Sequence, residues 1–411
     1  MSQYSLSPQY YETLKQIRKN IETFDDIPLE EVRRSFKNFI PTTISDYCIV
    51  DEVKLDEKYV IKSKEYLVDK LKVYEDVIDE KWQCLDNNGL FGEWIKVKDM
   101  KDTRRVVLYL FWGGYCMGSP EVSRSLTCKI AETAECPVFV INYRLSPEHQ
   151  FPAQLCDALA AYLYLTNPGP EAGFEPFNPK QIIFSGSSAG GGLAVATALF
   201  LRDADLPLPS GLVLWSAWLD LTSSMPSNWD PEMDKTDYLP AELGISKFKL
   251  VVSMSTEFHE QAKFLEEKIK QKKTKSGRPM LAESLGNLPP ILCVTSDPNK
   301  FQVPKYATMN FANSLFKNPT EVILEVYDEL FHCFQRMIPD KISEFSIKRS
   351  CDFIKHQTLI SDESDRKSLQ GINKTITAIA ISPNCEIREL DEKYLECLNW
   401  ENIGVVPEVE V

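Results

Sequence analysis

The sequence predicts an α/β fold with a mostly parallel central sheet flanked by helices, and two observations carry that reading. Six short apolar runs read as buried strands: Val106–Phe111, Val138–Tyr143, Gln181–Ser185, Gly211–Ser216, Ile291–Thr295 and Val322–Tyr327. Helix-patterned segments separate most of them. Strands that alternate with helices pair in parallel and are covered on both faces. In such sheets reactive groups gather beyond the carboxyl ends of the strands.

The elements before and between these strands follow from periodicity. From Pro8 to about Leu85, apolar residues recur every three or four positions in YYETLKQIRKNIETF, EEVRRSFKNFI and KSKEYLVDKLKVYEDVI, which predicts helices. Around Trp82 the period drops to two. WQCLDNN and FGEWIKVKDM flank the turn Asn87-Asn88-Gly89, so a hairpin is expected there. The stretch between the runs at Gly211 and Ile291 is too long for a simple crossover. Its Pro- and Asp-rich loop and long helical pattern predict an inserted segment over the sheet. The expected organisation is therefore an N-terminal helical region at 1–81, an α/β core at 82–360 with 222–287 inserted, and a charge-rich tail at 361–411 that either adds a strand or wraps the surface.

Composition narrows the function classes. The 411 residues include 46 Lys plus Arg against 60 Asp plus Glu, a net charge of −14 that repels phosphate backbones. No nucleic-acid partner is expected. The one dense basic stretch, Lys268 to Arg278, reads as a solvated helix end. With 43% hydrophobic and 26% charged residues the chain is of globular type. The polar N-terminus lacks the apolar core of a secretory signal. The uncharged run from Gln181 to Leu201 holds four glycines, so it reads as strand, turn and helix rather than a membrane span. Eleven scattered cysteines, an odd number, suit reduced thiols, and a cytoplasmic location is expected.

The chemistry concentrates in IIFSGSSAGGGLAVATALFL. Apolar residues lead into Gly186-Ser187-Ser188-Ala189-Gly190, and a small-residue helix follows. This is the pattern of a nucleophile elbow, in which a serine on a sharp strand-to-helix turn projects beyond the sheet while the next backbone N–H faces the reacting carbonyl. Ser188 is the candidate nucleophile. A hydroxyl needs a general base. Of four histidines, His149, His259 and His356 read as surface residues, whereas His332 lies in YDELFHCF just beyond the last strand. Asp297 ends LPPILCVTSDP and is the candidate acid that orients the imidazole. The order Ser188, Asp297, His332 is that of an α/β-hydrolase triad. LYLFWGGYCMGSP, after the run beginning at Val106, offers backbone N–H groups of Gly113 and Gly114, with that of Ala189, for an oxyanion hole.

On these motifs the chain resembles the hormone-sensitive-lipase-like family of α/β hydrolases, with its His-Gly-Gly-Gly motif and Gly-Asp-Ser-Ala-Gly-Gly elbow. YRLSPEHQFPAQLCDALAAYLYL, from Tyr143 to Leu165, matches a distinctive block of that family, and the resemblance covers roughly Val106 to Ile354. It implies the α/β-hydrolase fold, a helical cap built from the N-terminal helices and the inserted segment, and hydrolysis of carboxylic esters without a metal or organic cofactor. The implied partner is a small-molecule ester with an apolar acyl or alcohol group, to which cap aromatics such as Tyr10, Tyr11, Phe36 and Phe39 are suited. Contact with a membrane or lipid droplet stays open. Arg144, Glu148 and Asp157 look like scaffold residues.

Three departures accompany the resemblance. Phe111 and Trp112 stand where the family has His-Gly, which bears on whether the loop tilts or the acyl pocket narrows. Ser187 replaces the elbow aspartate. Phe301 stands where a second aspartate follows the acid. The altered pair leaves a second reading, a catalytically weakened small-molecule-binding protein on a hydrolase scaffold. The intact Ser188, Asp297 and His332 oppose it. Peptidase or amidase activity on the same triad also stays open.

Overall fold

All six apolar runs form strands of one sheet in the computed structural model, which describes residues 8–22, 28–39, 44–72, 78, 80–85, 89–100, 104–219, 237, 284–297, 320–337, 340–359 and 377–390. Four further strands join them. In chain order the ten are β1 (Cys48–Lys54), β2 (Phe91–Val97), β3 (Val106–Leu110), β4 (Val138–Ile141), β5 (Ile182–Ser187), β6 (Gly211–Trp215), β7 (Ile291–Asp297), β8 (Val322–Asp328), β9 (Thr377–Ile381) and β10 (Ile387–Glu389). Across the sheet they run β1-β2-β4-β3-β5-β6-β7-β8-β9-β10. Pairing is parallel from β4 through β9 and antiparallel for β1 with β2, β2 with β4, and β9 with β10. The fold class is the one the alternating pattern predicts.

The helices are α1 (Pro8–Glu22), α2 (Leu29–Phe39), α3 (Glu57–Leu71), α4 (Arg124–Ala134), α5 (Ala153–Thr166), α6 (Ala189–Asp203), the short α7 (Phe334–Met337) and α8 (Lys341–Leu359). α4 packs with α8, and α5 packs with α3 and α6. Strands β3 to β6 are buried along their whole length, so their apolar side chains meet helices on both faces. One polar bond ties sheet to helix inside this core: Trp215 Nε1 donates to Ser350 Oγ of α8 at 2.9 Å.

Two expectations are corrected. The helical reading of the N-terminal region misses β1, whose residues alternate between half-buried and exposed as an edge strand's do. Among the described residues the stretch before Asn87-Asn88-Gly89 also forms no strand for the expected hairpin. β2 pairs with β1 over Cys48 to Lys54, whereas Glu80–Gln83 forms a 3₁₀ turn. Alternation marks a strand but does not choose its partner. A buried guanidinium holds the turn instead, since Arg144 Nη1 donates to the carbonyls of Trp82 and Cys84 at 2.7 and 2.8 Å. Arg144 also forms a buried ion pair with Asp157 at 2.7 Å, as a bracing contact between loop and helix would. Breaking such a pair by removing one partner costs about 3–5 kcal/mol.

The tail adds strands. β9 extends the sheet beside β8, and Arg388 on β10 reaches back to the carboxylate of Asp328 at 3.0 and 3.1 Å. The helical part of the inserted segment, the basic run Lys268 to Arg278, His259, Phe301 and the side chains of Phe36 and Phe39 lie outside the described residues. Among the described residues no helix is long and apolar enough to cross a membrane.

Candidate active site

The strand β5 ends at Ser187, and α6 begins at Ala189, which leaves Ser188 alone on the turn with φ 53° and ψ −119°. A positive φ on a residue with a Cβ costs on the order of 1–3 kcal/mol, so the surroundings must enforce it. They do so through three backbone bonds. Ser188 N–H donates to the Trp215 carbonyl at 2.9 Å, and the Ser188 carbonyl accepts from Trp218 and Gly192 at 2.8 and 3.1 Å. Gly190 is required here, because a Cβ on it would run into the carbonyls of Leu110 and Phe111 at the end of β3. Ser188 is half-buried and Ser187 is fully buried. Ser187 Oγ lies 2.9 Å from the hydroxyl of Tyr109, so the residue before the candidate nucleophile makes a neutral bond beneath the turn. Burial pushes the Tyr109 phenol up to about 12, which keeps it protonated.

Beside this turn runs the loop that follows β3. Gly113 and Gly114 take φ 126° and 61°, and a Cβ on Gly113 would strike the Met117 carbonyl. The N–H groups of Cys116 and Met117 close on the Gly113 carbonyl at 3.1 and 2.8 Å. Those of Gly113 and Gly114 donate to no backbone carbonyl among the described residues. The two substituted positions pack away from solvent. Phe111 stacks on Tyr143 with centroids 3.9 Å apart, and the Tyr143 hydroxyl donates to the Phe111 carbonyl at 2.7 Å. Trp112 lies against the guanidinium of Arg336, 3.3 Å from its ring centroid. The left-handed angles therefore fall on Gly113, Gly114 and Tyr115, at φ 63°, and the tryptophan escapes strain.

The third part is the loop after β8. His332 is buried, and its N–H donates to the carboxylate of Asp237 at 3.1 Å. Asp237 belongs to the inserted segment, and its own carbonyl accepts from Arg18 of α1, with Nε at 3.0 Å. Tyr10 of α1 stacks on Phe331 at 4.7 Å and donates to the Glu329 carbonyl at 3.1 Å. The next residue links this loop to the elbow. Cys333 N–H donates to Ser216 Oγ at 3.2 Å, one residue beyond the Trp215 carbonyl that holds Ser188. Asp297 is the last residue of β7 and the register partner of Asp328 on β8. Its side chain lies outside the description.

The structure thus gathers Ser188, the Gly113–Gly114 loop, Ala189 and the His332 loop at the carboxyl ends of β3, β5 and β8, with Asp297 at that end of β7. His356 is exposed on α8 and His149 is half-buried in the loop before α5, consistent with their surface reading. Sequence reasoning missed Arg18 and Asp237, and also Arg33 of α2, whose guanidinium donates to the Cys116 carbonyl of the glycine loop at 2.8 Å. Charged residues on an amphipathic helix or in a polar loop look solvated, and no local pattern marks those that turn inward. Among the described residues no three His, Cys, Asp or Glu side chains converge as metal ligands do.

A mostly parallel sheet with a serine elbow beyond β5 and a histidine loop beyond β8 defines the α/β-hydrolase class. The chain belongs to the alpha/beta hydrolase fold family, whose sequence pattern matches residues 107–336. Among curated relatives it is 40% identical over 130 residues to an acetyl-hydrolase of Streptomyces hygroscopicus, an alignment covering 32% of this chain and 40% of that protein. It is 32% identical over 134 residues to an esterase of Acinetobacter venetianus, covering 33% and 41% of the two chains. The alignments span less than half of either relative. Solved structures share the fold more widely. An esterase of the bacterial hormone-sensitive lipase family superposes with a TM-score of 0.61 at 24% identity, over 87% of this chain and 100% of that one. EstE5, soaked with p-nitrophenyl butyrate, superposes with a TM-score of 0.64 at 22% identity, over 86% and 99%.

Proposed function

We propose that the protein is a serine-dependent hydrolase of carboxylic esters. The observation that carries this reading is the pairing of a serine at φ 53° with a neighbouring loop whose two glycine N–H groups have no backbone acceptor among the described residues. A strained, half-buried hydroxyl beside such donors suits attack on a carbonyl and stabilisation of the charge that develops on its oxygen. In the proposed reaction Ser188 Oγ attacks the ester carbonyl carbon and His332 takes its proton. Asp297 holds the imidazole in its working tautomer and stabilises the imidazolium. Gly113, Gly114 and Ala189 donate to the oxyanion. Collapse expels the alcohol, which takes the proton from His332. Water activated by the same base then releases the acid. These side chains and water supply every proton the reaction moves.

The names of the relatives, acetyl-hydrolase and esterase, agree with this chemistry. An apolar acyl or alcohol group is the proposed substrate feature, supported by the partly buried rings of Tyr115 and Trp218, 6.1 Å apart beside the elbow. The binding-protein reading loses its motive, since Phe111 and Trp112 are buried and leave the glycine angles intact. The proposed organisation keeps α1, α2 and the inserted segment as the cap, and the eleven cysteines carry forward a proposed cytoplasmic location. The test is labelling of purified protein by a fluorophosphonate probe beside Ser188→Ala, followed by hydrolysis of short- and long-chain p-nitrophenyl esters. Labelling and turnover that vanish in the variant support the reading; a well-folded wild type that neither labels nor turns over overturns it.

A further inference from the structure

Arg33 sits on α2, more than a hundred residues before the elbow, yet its guanidinium is spent on the loop beside Ser188. Nε donates to the Cys116 carbonyl at 2.8 Å, and Nη2 donates to the Ser146 carbonyl at 2.9 Å. Nη1 and Nη2 also grip the carboxylate of Glu148 at 2.8 and 2.9 Å, and Nη1 reaches Glu30 at 3.0 Å. Ser146 N–H donates in turn to the Tyr115 carbonyl at 2.9 Å, so the two loops and the helix are fastened at one point.

The bond to Cys116 has a continuation. The peptide that joins Cys116 to Met117 accepts from Arg33 through its carbonyl, and its N–H donates to the Gly113 carbonyl at 2.8 Å. That carbonyl belongs to the peptide whose N–H is Gly114's. In a trans peptide C=O and N–H point in opposite directions. Arg33 therefore stands at the tail of two hydrogen-bonded peptide units in series, and the Gly114 N–H is at the head. Hydrogen bonds in series polarise one another, more strongly where water is excluded. Gly113 takes φ 126° in this chain, and a side chain there would strike the Met117 carbonyl, so only glycine closes the turn that carries it.

We propose that Arg33 is a positioning residue for oxyanion binding, one that fixes and polarises the Gly114 N–H through the Cys116 and Gly113 carbonyls. This rests on the hydrolase reading above, in which Gly114 is an oxyanion donor. The consequence is specific to the transition state. A misplaced donor weakens binding of the oxyanion but not of the uncharged ester, so Arg33 acts on kcat and leaves KM nearly alone. Loss of one oxyanion donor costs about 10²–10³ in kcat. A donor loosened but retained loses less, about tenfold to a hundredfold. Lysine keeps the charge but lacks the fork that holds two carbonyls at once.

The experiment compares wild type, Arg33→Ala and Arg33→Lys in the full chain, with active sites counted by fluorophosphonate titration. For each, kcat and KM on p-nitrophenyl butyrate are measured, together with inhibition by a trifluoromethyl ketone, which forms an oxyanion on attack, and by the corresponding methyl ketone. The expected result is a tenfold to hundredfold fall in kcat per titrated site for Arg33→Ala, KM within about threefold, and an intermediate value for Arg33→Lys. Trifluoromethyl ketone affinity falls in step with kcat while methyl ketone affinity holds, and millimolar ethylguanidine restores part of the rate to Arg33→Ala. If Arg33→Ala does not fold, the same comparison is read on Arg33→Lys. Unchanged kcat, or equal weakening of both ketones, overturns the proposal while leaving an active wild type. A wild type silent to probe and ester sinks the hydrolase reading and this proposal with it.

Discussion

The two loops that flank Ser188 are held by different kinds of contact. The Gly113–Gly114 loop closes on itself through the Gly113 carbonyl, within five residues of sequence. The His332 loop is held from afar, by Asp237 at a separation of 95 residues, by Ser216 at 117 and by Tyr10 at 319. The first conformation is chosen largely by glycine and local hydrogen bonds. The second depends on parts of the chain that must already be folded and docked. A site so divided has one half whose turn is closed locally and touched by the cap through Arg33, and one half held throughout by distant parts of the chain.

The largest expected effect removes the centre that both loops serve. Ser188→Ala is expected to lower turnover of p-nitrophenyl butyrate at least a thousandfold, about 4 kcal/mol of barrier, with a melting temperature near that of wild type. A variant that retains near-normal rate would break the assignment and with it the division of labour. Next comes the buried pair beneath the glycine loop. Phe111→His with Trp112→Gly restores the family's usual residues but removes two packed rings, one on Tyr143 and one on Arg336. The expected outcome is a loss of about 3 kcal/mol or more in denaturant unfolding with no gain in rate. A faster enzyme of undiminished stability would mean that the substituted pair does restrain turnover.

The histidine side is probed by Asp237→Ala, which leaves the buried His332 N–H without its carboxylate. A buried donor left unmet costs about 1–3 kcal/mol, so kcat is expected to fall tenfold to a hundredfold while the glycine loop keeps its structure. Asp237→Asn keeps an acceptor oxygen and is expected to recover most of the rate. Equal activity in all three proteins would show that the loop holds itself, and the contrast between the two sides would fail.

That contrast also explains what was legible in the sequence. The six core strands were found because an all-apolar run has few other uses, and the elbow because Gly186 and Gly190 flank a serine at the end of one. Asp297 and His332 are proposed from their order along the chain and their position at strand ends. The hairpin at Asn87-Asn88-Gly89 was misread because alternation is blind to pairing, and the true partner of β2 lay some forty residues earlier. Arg18, Arg33 and Asp237 were invisible for a related reason. Each reaches its loop through a backbone carbonyl or N–H, and a backbone group leaves no residue-type signature in the sequence.

The smallest effect separates the two functions of the Arg33 guanidinium. Its hydrogen bonds hold the half-exposed Glu148 carboxyl below the usual carboxylate range, partly opposed by burial. A carboxyl whose folded value is depressed contributes stability that is present above the ordinary range and is lost as pH falls through the lowered value. Because the pair is screened by solvent, Glu148→Gln is expected to cost less than about 1 kcal/mol at neutral pH. The difference from wild type should vanish in acid and shrink with added salt. Turnover at neutral pH is expected to stay within twofold, since the bonds from Arg33 to the Cys116 and Ser146 carbonyls do not involve the carboxylate. A large loss of kcat in Glu148→Gln would instead mean that the ion pair, rather than the bonds to the Cys116 and Ser146 carbonyls, holds the arginine in its working place.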